Sequence, residues 1–217
     1  MEKRFLGSNN EILLEANFDI DRAVIFLPGV SGQAHSSRFA PLAKISEETG
    51  YACARLKIWD DSEELENFSF KDIFSKLDEL IEILKKQGFV DVVLVGKSFG
   101  GGVALLYNND LITQKILWAP AIGVTVGEGN FVDYIDTKLI EIDNPLDITV
   151  DKEQLKGLNI PINIIHGDVD DIIPLHNSEQ IVALCGGTLE VISEAGHSFK
   201  EPAHEKALYE ATKKFLN

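Results

Sequence analysis

Ser98 and His197 stand just behind apolar runs, and three carboxylates follow a third run between them. Ser98 lies in Gly96-Lys97-Ser98-Phe99-Gly100, behind Val92-Val93-Leu94-Val95. The run from Ile160 to Ile165 leads into His166-Gly167-Asp168-Val169-Asp170-Asp171-Ile172-Ile173-Pro174. Thr188 to Ile192 leads into Ser193-Glu194-Ala195-Gly196-His197-Ser198. A serine hydroxyl is a weak nucleophile at neutral pH. It needs an adjacent base, and the base needs a third group to fix its tautomer and stabilise its charge. The sequence supplies all three types in the order serine, acid, histidine. Spacing alone leaves the acid open among Asp168, Asp170 and Asp171.

Such groups meet only if the elements before them lie side by side. Ala23-Val24-Ile25-Phe26-Leu27 is a continuous apolar run, as in a strand buried on both faces. Strands are also expected at Tyr51–Ile58, Asp91–Val95, Lys115–Ala119, Ile160–Ile165 and Thr188–Ile192. An opening hairpin is expected around Gly7-Ser8-Asn9-Asn10. Helices are expected at Ser37–Glu48, Ser69–Gln87, Glu153–Lys156, Leu175–Leu184 and Glu201–Phe215, and another directly behind Ser98. Asp60–Asn67 reads as an exposed loop. Residues 121–150 are the least regular, broken by Gly123, Gly127, Gly129 and Asn144-Pro145, and read as a small cap or a long excursion over the sheet edge. Strands alternating with helices imply an α/β fold with a mostly parallel sheet of about eight strands, covered on both faces. Its functional groups belong on loops at the carboxyl ends of the strands. A single domain over 1–217 follows from the length and the lack of a linker.

Acids outnumber bases 35 to 20, for a formal charge of −15. That field repels phosphate backbones and anionic headgroups, so nucleic acid is excluded as a partner, and anionic substrates approach slowly. No apolar run reaches the roughly 20 residues that span a bilayer, and the amino terminus has no signal-peptide core. Membrane insertion is not expected, and a cytoplasmic location is. Cys53 and Cys185 lack metal-ligand spacing and read as reduced thiols.

The three segments together resemble the α/β-hydrolase fold superfamily, in particular its small serine esterases and thioesterases. Gly96-Lys97-Ser98-Phe99-Gly100 is similar to the nucleophile elbow. The segment His166–Pro174 is similar to the H-G-x-x-D-x-x-V-P acid loop, and Gly196-His197-Ser198 to the histidine loop. The resemblance spans nearly the whole chain. It implies Ser98 as nucleophile, His197 as base and later acid, and Asp170 as the acid that orients His197, since Asp170 alone stands four residues before Pro174. An oxyanion hole of two backbone N–H groups is implied. One belongs to Phe99, at a helix start where free donors and the dipole favour an anion. The other, by family position, belongs to Val30, with Ser31 as the alternative. Here the chain departs from the pattern: Pro28-Gly29 replaces a common histidine–glycine pair.

The implied activity is cleavage of a carboxylic ester or thioester through an acyl-enzyme, on a small-molecule acyl substrate, with no cofactor and no metal. A peptidase or lysophospholipase-like hydrolase and a non-catalytic binding protein on the same fold are the alternatives. His166 reads as a strand-end packing residue, and Lys97 as structural or exposed. His35 is a candidate substrate contact near the loop after Leu27, while His176 and His204 read as surface residues. Substrate identity, acyl chain length and oligomeric state leave no signature in the sequence.

Overall fold

Alternation along the central strands explains the layering. In a computed structural model, which describes residues 2–6, 12–16, 20–125, 135–144 and 148–217, strand β3 (Arg22–Leu27) sends Ala23, Ile25 and Leu27 to one core and Val24 and Phe26 to another. Strand β5 (Asp91–Lys97) divides Val92 and Leu94 from Val93 and Val95 in the same way. Side chains of a strand point alternately to its two faces, so a strand that is apolar throughout requires cover on both.

The cover comes from helices. On one face lie α1 (Ala40–Glu48) and α7 (Pro202–Leu216). On the other lie α2 (Ser62–Glu66), α3 (Phe70–Lys86), α4 (Phe99–Leu106), α5 (Lys152–Lys156) and α6 (Leu175–Cys185). The periodicity of α3 buries Phe70, Ile73, Leu77, Leu80, Ile81 and Leu84, and Ser69 and Asp72 form a reciprocal capping box at its start.

Among the described residues the main sheet has eight strands. The remaining ones are β1 (Glu2–Leu6), β2 (Ile12–Ala16), β4 (Ala52–Leu56), β6 (Ile112–Trp118), β9 (Ile162–Gly167) and β10 (Thr188–Ile192), in the spatial order β1-β2-β4-β3-β5-β6-β9-β10. The pairings β1–β2 and β2–β4 are antiparallel and all others parallel. The turn expected at Gly7–Asn10 lies outside the described residues, but the antiparallel pair around it is present. From β3 the chain moves to β4 on one side and then returns to β5 on the other. The crevice between the carboxyl ends of β3 and β5 is therefore the topological switch point, where parallel sheets place ligands.

One expectation needs correction. Asp60–Asn67 is not a loop throughout: Asp61 caps α2, accepting from the Glu64 amide at 2.9 Å, and Leu65 is buried. Its acidic face is solvated, and the single buried leucine gave too little periodicity to register. In 121–150, a parallel two-stranded ribbon joins β7 (Gly123–Thr125) to β8 (Thr149–Asp151), and a 3₁₀ turn spans Leu139–Glu141. Residues 126–134 and 145–147 of the expected cap lie outside the described residues. No helix among the described residues is long and apolar enough to cross a membrane.

Candidate active site

Ser98 sits between β5 and α4 with φ 53° and ψ −121°. A non-glycine residue rarely adopts that conformation, and it persists only where the surroundings dictate it. They do so here by close approach. A Cβ on Gly96 would come within 2.3 Å of the Gly100 carbonyl oxygen, and one on Gly100 within 2.2 Å of the Pro28 carbonyl oxygen. Only glycine at both positions lets the strand turn into the helix so tightly. The Ser98 amide donates to the Trp118 carbonyl at 2.9 Å, fixing the turn to the neighbouring strand. Ala119, Glu194 and Phe199 also have positive φ, so backbone strain gathers at this end of the sheet.

Around Ser98 the sheet assembles the other expected groups. His197, on the loop after β10, places Nε2 2.9 Å from Ser98 Oγ. Its Nδ1 is 2.8 Å from Asp170 Oδ2, on the loop after β9. A carboxylate only accepts, so Nδ1 carries the hydrogen and Nε2 is free to accept from the Ser98 hydroxyl. The Asp170 side chain is fully buried, His197 nearly so. Asp170 Oδ1 accepts from the amides of Ile172 at 2.9 Å and Ile173 at 2.8 Å. Its rivals lie elsewhere. Asp168 is exposed and accepts from the Glu194 amide at 2.6 Å, capping the turn that carries His197, and Asp171 lines an outer groove.

His166 has more polar work than its packing role foretold. It is wholly buried, with Nε2 3.0 Å from the Ile173 carbonyl and 3.1 Å from Asp170 Oδ2. Two acceptors at one nitrogen place the hydrogen on Nε2, so the Ser178 hydroxyl donates to Nδ1 at 2.7 Å. Burial by itself would raise the Asp170 carboxyl. Donors from His166 and His197, then the Ile173 and Ile172 amides, outweigh it and hold the group well below the ordinary carboxylate range. The sequence offered one sign of this, the fixed spacing of His166 from Asp170, but nothing in it told a packing imidazole from a bonded one.

Lys97 is half-buried rather than exposed, and burial together with nearby Arg38 lowers its ammonium to about 8, against the opposing pull of Asp170. His35 faces the Arg55 carbonyl at 2.9 Å and belongs to the scaffold of the loop after β3. That loop is anchored by a buried pair absent from the sequence reading. Arg55 bonds Glu15 at 2.9 Å and also donates to the Ser36 carbonyl at 2.8 Å. Gly29, on the same loop, lies against Ser98, and its carbonyl accepts from the buried Trp59 indole at 3.1 Å. Neither the Val30 nor the Phe99 amide has a hydrogen-bond acceptor among the described residues.

Beside His197 an open groove of about 370 Å³ is lined by Asp171, Ile172, Glu194, Lys200, Glu201 and His204. Among the described residues no group of histidine, cysteine or carboxylate side chains has a metal-binding arrangement. Cys53 and Cys185 are free thiols, and burial pushes Cys53 up to about 12.

No protein-family model matches the chain, and a search of curated proteins gives no match either. Solved structures do match along its full length. Est1E from Butyrivibrio proteoclasticus superposes with a TM-score of 0.73 at 16% identity, covering 99% of this chain and 97% of that one. The esterase EaEST from Exiguobacterium antarcticum gives 0.72 at 18%, covering 94% and 95%. A monoacylglycerol lipase from Paleococcus ferrophilus gives 0.70 at 14%, covering 100% and 98%. The architecture shared with them is the α/β-hydrolase fold, as the sequence motifs led one to expect.

Proposed function

On an α/β-hydrolase fold with this arrangement at its switch point, we propose that the protein is a serine hydrolase cleaving carboxylic esters or thioesters through an acyl-enzyme. The observation that carries the proposal is the unbroken chain from Ser98 Oγ to His197 Nε2 at 2.9 Å and from His197 Nδ1 to Asp170 Oδ2 at 2.8 Å. That is the geometry in which a hydroxyl can be deprotonated as it attacks. The esterases and the lipase among the structural neighbours support the same reading.

Ser98 Oγ attacks the carbonyl carbon while its proton passes to His197 Nε2. The carbonyl electron pair moves onto oxygen, where the amides of Phe99 and Val30 stabilise the anion. Asp170 balances the imidazolium. The intermediate collapses, the bond to the leaving oxygen or sulfur breaks, and His197 returns the proton to it. A water then attacks the acyl-serine, giving its proton to His197, and expulsion of Ser98 with that proton restores the enzyme. No cofactor or metal enters these steps.

The groove beside His197 carries Asp171, Glu194 and Glu201 against Lys200. With the chain's charge of −15, this acidic surface near His197 favours the approach of uncharged esters over polyanionic thioesters. A panel of neutral esters and thioesters of graded acyl length tests the proposal. Turnover that Ser98→Ala abolishes is expected. Turnover that survives that substitution assigns the chemistry to another group.

A further inference from the structure

The loop after β3 departs from its family pattern at Pro28-Gly29, and a residue from further along the chain occupies the space beside it. The Gly29 carbonyl accepts two hydrogen bonds, from the Gly32 amide at 2.9 Å and from Trp59 Nε1 at 3.1 Å. The Gly29–Val30 peptide is planar and trans, so the Val30 N–H points opposite to the Gly29 carbonyl. Whatever fixes the carbonyl therefore fixes the amide. Gly29 itself borders the serine: a Cβ there would lie 3.4 Å from Ser98 Cβ and 3.9 Å from Ser98 Oγ.

Trp59 also reaches the other half of the site. Its ring meets the Phe99 ring edge-on, with centroids 5.8 Å apart and planes at 77°, and Phe99 stacks on Phe70 at 5.9 Å. Trp59 is wholly buried. Its backbone closes on the same loop, since a Cβ on Gly32, at φ +65°, would sit 2.8 Å from the Trp59 carbonyl oxygen and 2.3 Å from that of Asp60. A buried indole N–H needs an acceptor, and here the acceptor belongs to the peptide whose amide faces the opposite way.

We propose that Trp59 is the positioning residue of the oxyanion hole: its indole N–H holds the Gly29–Val30 peptide so that the Val30 amide is presented to the anion, and its ring sets Phe99, the second donor. Trp59 touches no reacting atom and acts through these two residues. The inference rests on the hydrolase reading above and deepens it. It also selects Val30 over Ser31, because only the Val30 amide shares a peptide plane with the carbonyl that Trp59 holds.

Two variants test it: Trp59→Phe, and replacement of Trp59 by its benzothiophene isostere, which keeps the bicyclic shape and has sulfur where the indole has N–H. Each is assayed for kcat and KM on a p-nitrophenyl ester. Each is also assayed for the inhibition constant of a trifluoromethyl ketone, which adds to the serine and places an oxyanion in the hole. Outright loss of an oxyanion donor costs about 10²- to 10³-fold in kcat. Loss of its positioning is expected to lower kcat by roughly 10- to 100-fold, with KM little changed and ketone affinity weakened by a similar factor. The isostere should do this while its thermal unfolding stays that of wild type. An isostere with wild-type kcat and ketone affinity overturns the inference alone. A wild type lacking Ser98-dependent ester turnover overturns the hydrolase reading and takes the inference with it.

Discussion

Asp170 and Lys115 are both ionisable groups sunk into the protein beside neighbouring strands, and their surroundings treat them in opposite ways. Asp170, at the carboxyl end of the sheet, receives four donors, from His197, His166 and the Ile172 and Ile173 amides. Lys115, on β6, turns toward the other end, where α4 finishes. Among the described residues its ammonium meets only neutral oxygens, the Leu105 carbonyl at 2.8 Å and Asn108 Oδ1 at 3.0 Å. Burial accordingly lowers it to about 7. The one site is organised to keep a charge at neutral pH, and the other to give one up. A carboxylate that remains ionised while buried can hold an imidazolium beside it. Among the described residues Lys115 has no counter-ion, and a cavity of about 420 Å³, lined by Asn108, Leu155 and Ile160, opens beside its partners Leu105 and Asn108.

Asp170→Asn should break the contrast most severely. It keeps the shape and one acceptor but removes the charge that sets the His197 tautomer, so kcat is expected to fall by about 10⁴-fold. Lys115→Met, in the same steady-state assay, should leave kcat unchanged.

The lysine's effect belongs instead to stability. Its pKa is lower in the folded protein than in the unfolded chain, so between about pH 7 and 10 the unfolded chain binds more protons, and stability rises with pH. Urea unfolding is expected to show an increment of roughly 3 kcal/mol between pH 7 and pH 9.5 that Lys115→Met lacks. An unchanged increment in the variant would mean that Lys115 stays charged across that range.

His166→Phe sharpens the other side of the comparison. It deprives Asp170 Oδ2 of one donor and leaves the buried Ser178 hydroxyl without its acceptor. A loss of about 2 kcal/mol in unfolding free energy is expected, together with a reduced kcat. His166→Gln, which can still donate toward Asp170, should recover part of both.

Most of the frame was legible because strands buried on both faces leave an uninterrupted apolar signature, as at Ala23–Leu27 and Val92–Val95. The spacing of α3 was equally clear. Ser98 and the acids after β9 follow such strands, while His197 follows a more exposed edge strand. The choice of Asp170 among three carboxylates came only from the family resemblance. Gly96 and Gly100 mark the close approach at the turn. Long-range polar contacts could not be read that way. Glu15 and Arg55 are 40 positions apart, and Trp59 and Gly29 are 30 apart. The residue types at those positions do not name their distant partners. Nor did a single buried leucine announce α2.

The central claim, that Ser98 is an activated nucleophile, is tested most directly by mass measurement of the intact protein after exposure to a fluorophosphonate. Stoichiometric addition of one phosphonyl group at Ser98 in wild type, and none in Ser98→Ala, is expected. An unlabelled wild type, or equal labelling of Ser98→Ala, would contradict it.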